Sequence, residues 1–304
     1  MRSTFQLAAL LFASVLSPAH EGNRHPIDTS WNWDALVLVP LIATIVVYGI
    51  GLWRSRGAAA PRWHIASFFA GWLLLAIAQL SPIHKIGSAL FSVHMGQHEL
   101  LMLMAAPLLA IGRPFVIFIW ALPLARRECV GAFLKRPRVV RTWSFISLPL
   151  FVWGLHGAVL WVWHIPVLFE AALDNQAIHV LQHAMFLATA VLFWWTLIHG
   201  RYGRLAYGMS VLYVFTTAVH SGALGALITI ANRVWYPSYS RGAAGLSGLE
   251  DQQLAGLIMW VPAGVVFLVI GLALFAAWLG ESERRSMYSQ LAVAQQAKSN
   301  AQLE

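Results

Sequence analysis

The chain has 304 residues, of which 59% are hydrophobic and only 11% charged. Soluble domains carry about 25% charged residues, so this composition excludes a chain whose surface faces mainly water. The formal charge of +8 comes largely from basic residues in short loops between apolar runs, where Lys and Arg set membrane orientation; this argues against nucleic-acid binding.

Residues 1–19 open with Arg2, continue through an apolar stretch from Phe5 to Val15 and end in Ser17-Pro18-Ala19. A basic start, a short apolar region and small residues at a cleavage-site spacing predict a secretory signal peptide. Residues 20–34 are polar and end in Trp31-Asn32-Trp33-Asp34. Seven apolar runs follow: Ala35–Trp53, Ile65–Leu80, Phe91–Ile111, Ser144–Trp163, Ile178–Ile198, Leu205–Ala231 and Leu254–Leu279. Each approaches or exceeds the roughly 20 residues that cross a bilayer as a helix. The predicted fold is therefore all-α: a polytopic transmembrane bundle of about seven helices over residues 35–280. Pro40, Pro107, Pro149 and Pro262 fall inside these runs, where neighbouring helices can satisfy a freed carbonyl. Phe115–Leu124 is too short to span and is expected along the inner interface. A polar tail, 281–304, closes the chain as a helix.

Basic residues set the direction. Arg54, Arg56 and Arg62 follow the first run, and Arg113, Arg126, Arg127, Lys135, Arg136, Arg138 and Arg141 lie between the third and fourth. Arg201 and Arg204 follow the fifth. The other loops hold only Arg24, Lys85, Arg233 and Arg241. That asymmetry predicts an N-terminus outside and a C-terminus in the cytoplasm.

On this topology His94, His98, His164, His179 and His183 all fall at the outer ends of helices, with Glu250 and Asp251 at the same depth. Residues four apart share a helix face, so His94/His98 and His179/His183 each present two imidazoles toward one point. Ionisable groups in spanning helices are a functional signal. Imidazole suits copper, zinc and iron, and thioether sulfur selects Cu(I); Met95, with Met102 and Met104 nearby, tilts the expectation toward copper. A lone His-x-x-x-His is commonly structural, one ring bonding a carbonyl, and Met commonly fills core gaps; the metal expectation rests on two pairs and His164 coinciding. Asp251 is expected to join this set or to orient one of its imidazoles, and Glu250 to face loop or solvent. His156 and His220 lie deeper, where they could extend a polar path; His20, His25 and His84 are placed in outer loops. The lone cysteine, Cys129, forms no Cys-x-x-Cys pair, so thiol ligation is not expected.

The segment His94–Leu101, the turn Trp163-His164-Ile165-Pro166 and the run Leu249-Glu250-Asp251-Gln252-Gln253 through Ile258-Met259-Trp260 resemble the CtaG-type cytochrome c oxidase assembly factors. Supporting stretches are Ser81-Pro82, Ala106-Pro107-Leu108-Leu109 and Tyr236-Pro237. The resemblance covers about Trp31 to Leu279, and Glu99 departs from it, standing where an apolar residue is expected. It implies a multi-pass protein of a bacterial inner membrane, with residues 20–34 periplasmic. It also implies a non-enzymatic role in making haem-copper oxidase, with oxidase subunits or periplasmic copper chaperones as partners. The cofactor implied is copper, as Cu(I). Two alternatives stay open on the residues themselves: a bis-histidine haem protein using His98 and His183, and a copper or proton transporter using His156 and His220.

Overall fold

The computed structural model describes residues 27–56, 59–199 and 207–301. The expected signal peptide, with His20 and His25, lies outside the described residues. The helices in chain order are α1 (Ala35–Ser55), α2 (Arg62–Leu80), α3 (Pro82–Gly87) and α4 (Phe91–Gly112). Then come α5 (Pro114–Trp120), α6 (Leu124–Leu134), α7 (Pro137–Ile146), α8 (Pro149–Trp163) and α9 (Pro166–Asp174). The last three are α10 (Gln176–His199), α11 (Tyr207–Ile230) and α12 (Gly248–Ala301).

Six of these are long and apolar enough to cross a membrane: α1, α2, α4, α10, α11 and α12. The seventh expected span is a bent pair, α7 and α8, which meet at 59°. The expected single run from Ser144 therefore breaks at Ser147–Leu148. Its cause is Pro149, which forces the preceding residue out of the helical region; Leu148 is extended, with ψ 128°. The same residue type acts differently at Pro107. It has no amide for the carbonyl of Met102, and α4 widens into a π-helical turn over Leu100–Ala105. The indole of Trp194 on α10 donates to that stranded carbonyl at 2.8 Å, which ties α4 to α10. Pro40 and Pro262 sit inside α1 and α12 without ending them.

The packing is closest where side chains are smallest. A methyl group on Gly225 of α11 would lie 2.9 Å from Trp260 Cβ and 3.0 Å from the Gly256 carbonyl of α12, so the two backbones meet there. The main core runs between α4, α8, α10, α11 and α12, with Phe91, Met95, Met102, Phe186 and Phe193 among its buried residues. A smaller cluster of Tyr48, Phe68 and Ile117 holds α1, α2 and α5 together.

At one end of the bundle α1, α4, α10 and α12 begin, and four caps secure them. Asp34 accepts from Leu36 N–H at 2.7 Å and Asn175 from Ala177 N–H at 2.9 Å. Ser247 and Glu250 form a reciprocal capping box on α12. The fourth cap comes from a different helix and is described below. All the histidines expected at the outer ends of helices lie at this end.

Candidate metal centre

The i, i+4 spacing on α4 and α10 carries through to geometry. Ring centroids of His94 and His98 are 4.5 Å apart, and those of His179 and His183 are 4.3 Å apart. The two pairs face each other across the α4–α10 interface. His94 stacks on His179 at 5.3 Å, and His98 meets His183 edge-on at 5.0 Å. His164, at the end of α8, stands 6.2 Å from His98. All five sequence-predicted histidines therefore converge, and each is at most 9% exposed. Within this group His94, His179 and His183 can offer nitrogens lying within 4.8 Å of one another.

For His94, His164 and His183 the surrounding hydrogen bonds decide which nitrogen the ring offers, whereas His98 Nδ1 is buried with no partner among the described residues. Gln79 Oε1 lies 3.0 Å from His183 Nδ1; a carbonyl oxygen only accepts, so Nδ1 carries the proton and Nε2 the lone pair. The Leu160 carbonyl does the same for His164 Nδ1 at 2.7 Å. Tyr239 donates its hydroxyl proton to the Gly87 carbonyl at 2.8 Å and lies 3.3 Å from His94 Nδ1, so its oxygen receives the Nδ1 proton of His94. Burial first, then the Asp251 carboxylate, pushes the Tyr239 phenol well above its usual pKa, so that hydroxyl keeps its proton. The Nε2 atoms of His94, His164 and His179 are buried without a partner. Those of His98 and His183 face each other at 3.1 Å, a contact that requires a proton or a cation between them. Metal-ligating imidazoles are oriented in this way, by a protein acceptor on the opposite nitrogen.

Asp251 is not in this set. Both its oxygens accept backbone protons from α4, Phe91 N–H at 2.6 Å and Ser92 N–H at 3.1 Å. No side chain of its own caps α4, whose N-cap residue is Leu90, and the positive end of the helix draws the carboxylate. The expectation that Asp251 orients a histidine is thus corrected: it orients the helix that carries two of them. Glu250 faces outward, in the capping box. Gln252 takes the Trp235 amide at 2.6 Å and gives a proton to the Arg233 carbonyl at 3.1 Å; Gln253 binds the Ala231 carbonyl at 3.1 Å. The whole Glu-Asp-Gln-Gln string is a clamp that fixes α4 and the loop before α12. Met95 and Met102 are buried in the apolar core, and Met104 is 52% exposed.

His84 was placed in an outer loop by sequence, yet α3 sets its ring 5.2 Å from His179 and 6.3 Å from His183. Burial and the neighbouring Lys85 charge lower its pKa, against the pull of Asp34, which favours the neutral ring. Gln79 and Gln97, the amides that wire the cluster together, were also missed. Their signal was available: a primary amide inside an apolar run needs buried partners. Deeper in the bundle, His156 Nδ1 pairs with Thr189 at 3.1 Å, while neither nitrogen of His220 has a hydrogen-bond partner among the described residues.

Residues 46–281 match a family model described as cytochrome c oxidase caa3 assembly factor (Caa3_CtaG). The chain belongs to that family. Uncharacterised proteins of Mycobacterium bovis and Mycobacterium tuberculosis are each 26% identical over 273 residues, 84% of this chain and 40% of theirs. One from Mycobacterium leprae is 26% identical over 270 residues, with the same coverage. This caa3 assembly factor family member thus spans 40% of the length of those curated relatives. No solved structure matches it. The match includes every histidine of the cluster.

Proposed function

We propose that this protein binds copper as Cu(I) at the histidine cluster and makes it available for cytochrome c oxidase assembly on the outer side of a bacterial inner membrane. The observation that carries this reading is the charge of the donor set. Five buried imidazoles converge, while Asp251, the carboxylate expected beside them, is spent on a helix terminus. A neutral set leaves the ion's own charge uncompensated, and burying charge is costly. A monovalent ion leaves the smaller residual charge in such a set. Imidazole accepts copper, and the family is named for the assembly of an oxidase. Orientation follows from the loop arginines, which put the histidine end outside.

The 3.1 Å gap between His98 and His183 Nε2 argues against the haem alternative. Axial ligands on opposite faces of an iron stand about 4 Å apart at metal–nitrogen distances near 2.0 Å, whereas two ligands on one tetrahedral ion stand about 3.4 Å apart. The partners in this reading are oxidase subunits or a periplasmic copper carrier, and the protein works as a binding factor without catalysis.

Deletion of the protein should lower oxidase activity, and added copper should restore part of it, because occupancy of the oxidase site rises with free metal. His98→Ala and His183→Ala should reproduce the deletion while the protein remains inserted in the membrane. Full oxidase activity in both variants would overturn the reading; a defect that copper leaves untouched would replace metal supply by scaffolding.

A further inference from the structure

The cluster is closed on one side and open on another. Phe91, Phe169, Tyr236 and Tyr239 cover His94, each at most 2% exposed and packed ring to ring at 4.5–6.4 Å. Across the site, between α1, α2 and α10, lies a cavity of about 180 Å³. Its wall includes Pro40, Ala184 and Leu187, and its polar part is Gln79, His84, His179 and His183. Of the cluster, His179 and His183 of α10 line this cavity, together with His84 of α3.

His84 differs from its neighbours in how it is held. Gln97 Nε2 is 2.8 Å from the Ala78 carbonyl, 3.2 Å from Gln79 Oε1 and 3.1 Å from His84 Nδ1. An amide nitrogen has two protons for these three acceptors, so one acceptor is always underserved. The two oxygens belong to buried α2, whereas His84 is on a short helix at the cavity. Its lone pair can be lent to an ion without stranding a backbone carbonyl. The lone pair of His183 is by contrast fixed by Gln79 and aimed at His98.

We propose that this cavity is the loading route to the cluster and that His84 is an exchange ligand, binding Cu(I) transiently as it passes to and from His94, His179 and His183. The inference rests on the copper reading above and adds a route and a residue to it. A three-coordinate Cu(I), the number that His94, His179 and His183 can supply, has room for an incoming donor, and the ring of His84, its centroid 5.2 Å from that of His179, is the imidazole placed beside it.

The test is stopped-flow exchange of Cu(I) between the detergent-purified full chain and a chelator, with total bound copper measured alongside. His84→Gln keeps a hydrogen-bonding partner for Gln97 but removes the ring; loading and release should both slow, by a similar factor. Because both rates fall, affinity should drop far less than in His183→Ala. Ala184→Trp, which fills the cavity from an outward-facing position, should slow exchange likewise and leave bound copper per chain at the wild-type value. His84→Cys, which restores a soft donor, should recover fast exchange. Wild-type rates in either His84→Gln or Ala184→Trp overturn the route. A loss of bound copper in His84→Gln equal to that in His183→Ala makes His84 a resident ligand and overturns its transient role. Wild-type protein that takes up no copper removes the functional reading itself, an outcome separate from a copper-loaded protein with unchanged rates.

Discussion

His183 and His199 sit at the two ends of the same helix, α10, and they are held in opposite ways. At the arginine-rich end, His199 Nδ1 receives a proton from Arg113 at 2.9 Å and Nε2 gives one to the Ala110 carbonyl at 3.1 Å. Both nitrogens are used, and the ring acts as a bracket between α10 and the end of α4. At the other end, His183 has one nitrogen fixed by Gln79 and the other left facing a second imidazole nitrogen. The surroundings differ to match. The helices α6 and α7 near the arginine end bury no residue, so the basic side chains there stay solvated, while the other end buries five histidines together with Gln79, Gln97 and Asp251. Presence of a histidine thus says little. A ring whose second nitrogen meets another imidazole nitrogen can share an ion with it, whereas a ring held between a guanidinium and a backbone carbonyl must give up one of them to bind anything.

The largest expected effect separates those two rings directly. His183→Ala should remove stoichiometric copper from the purified protein, lowering affinity at least 100-fold, as measured by competition with a Cu(I) chelator. His199→Ala should leave copper binding at the wild-type level and lower thermal stability by the value of one or two hydrogen bonds, about 1 kcal/mol each. Equal copper loss in both would erase the distinction. Next in size, Gln79→Leu frees the His183 proton to move to Nε2 and should weaken copper binding by about 10- to 100-fold, read in the same competition assay. Asp251→Asn should act on the fold instead. It weakens two charge-assisted bonds to the start of α4, at a cost of about 1.5–3 kcal/mol for each such bond that is lost, seen as a lower unfolding midpoint with copper per folded chain unchanged. Smallest is Met95→Leu, a near-isosteric core change expected to cost less than about 1.5 kcal/mol and to leave copper affinity where it was. A large fall in affinity there would return thioether sulfur to the ligand set.

The spanning helices were legible because lipid demands long apolar runs, and the histidine depth was legible because helix direction and loop charge fix it. The convergence of α4 with α10 followed from the i, i+4 pairs. Tertiary choices were not legible. Pro149 breaks its run, with Leu148 extended before it, and Pro262 does not; sequence alone does not tell the two apart. Asp251 could have served a histidine or a helix terminus on sequence grounds; only the approach of α12 to the uncapped start of α4 decides it. His84 was passed over because the six-residue helix that aims it carries almost no periodic signal. The Leu-Glu-Asp-Gln-Gln string, part of the family resemblance, is the clamp that positions the helix carrying His94 and His98.

The central claim is that a neutral set of imidazoles, without carboxylate or sulfur, holds one monovalent copper. X-ray absorption on the copper-loaded, detergent-purified protein tests it most directly. The account predicts a Cu(I) edge and a first shell of imidazole nitrogens alone, near 2.0 Å, that vanishes in His183→Ala. A sulfur shell near 2.3 Å, or a wild-type protein that retains no copper, would contradict it.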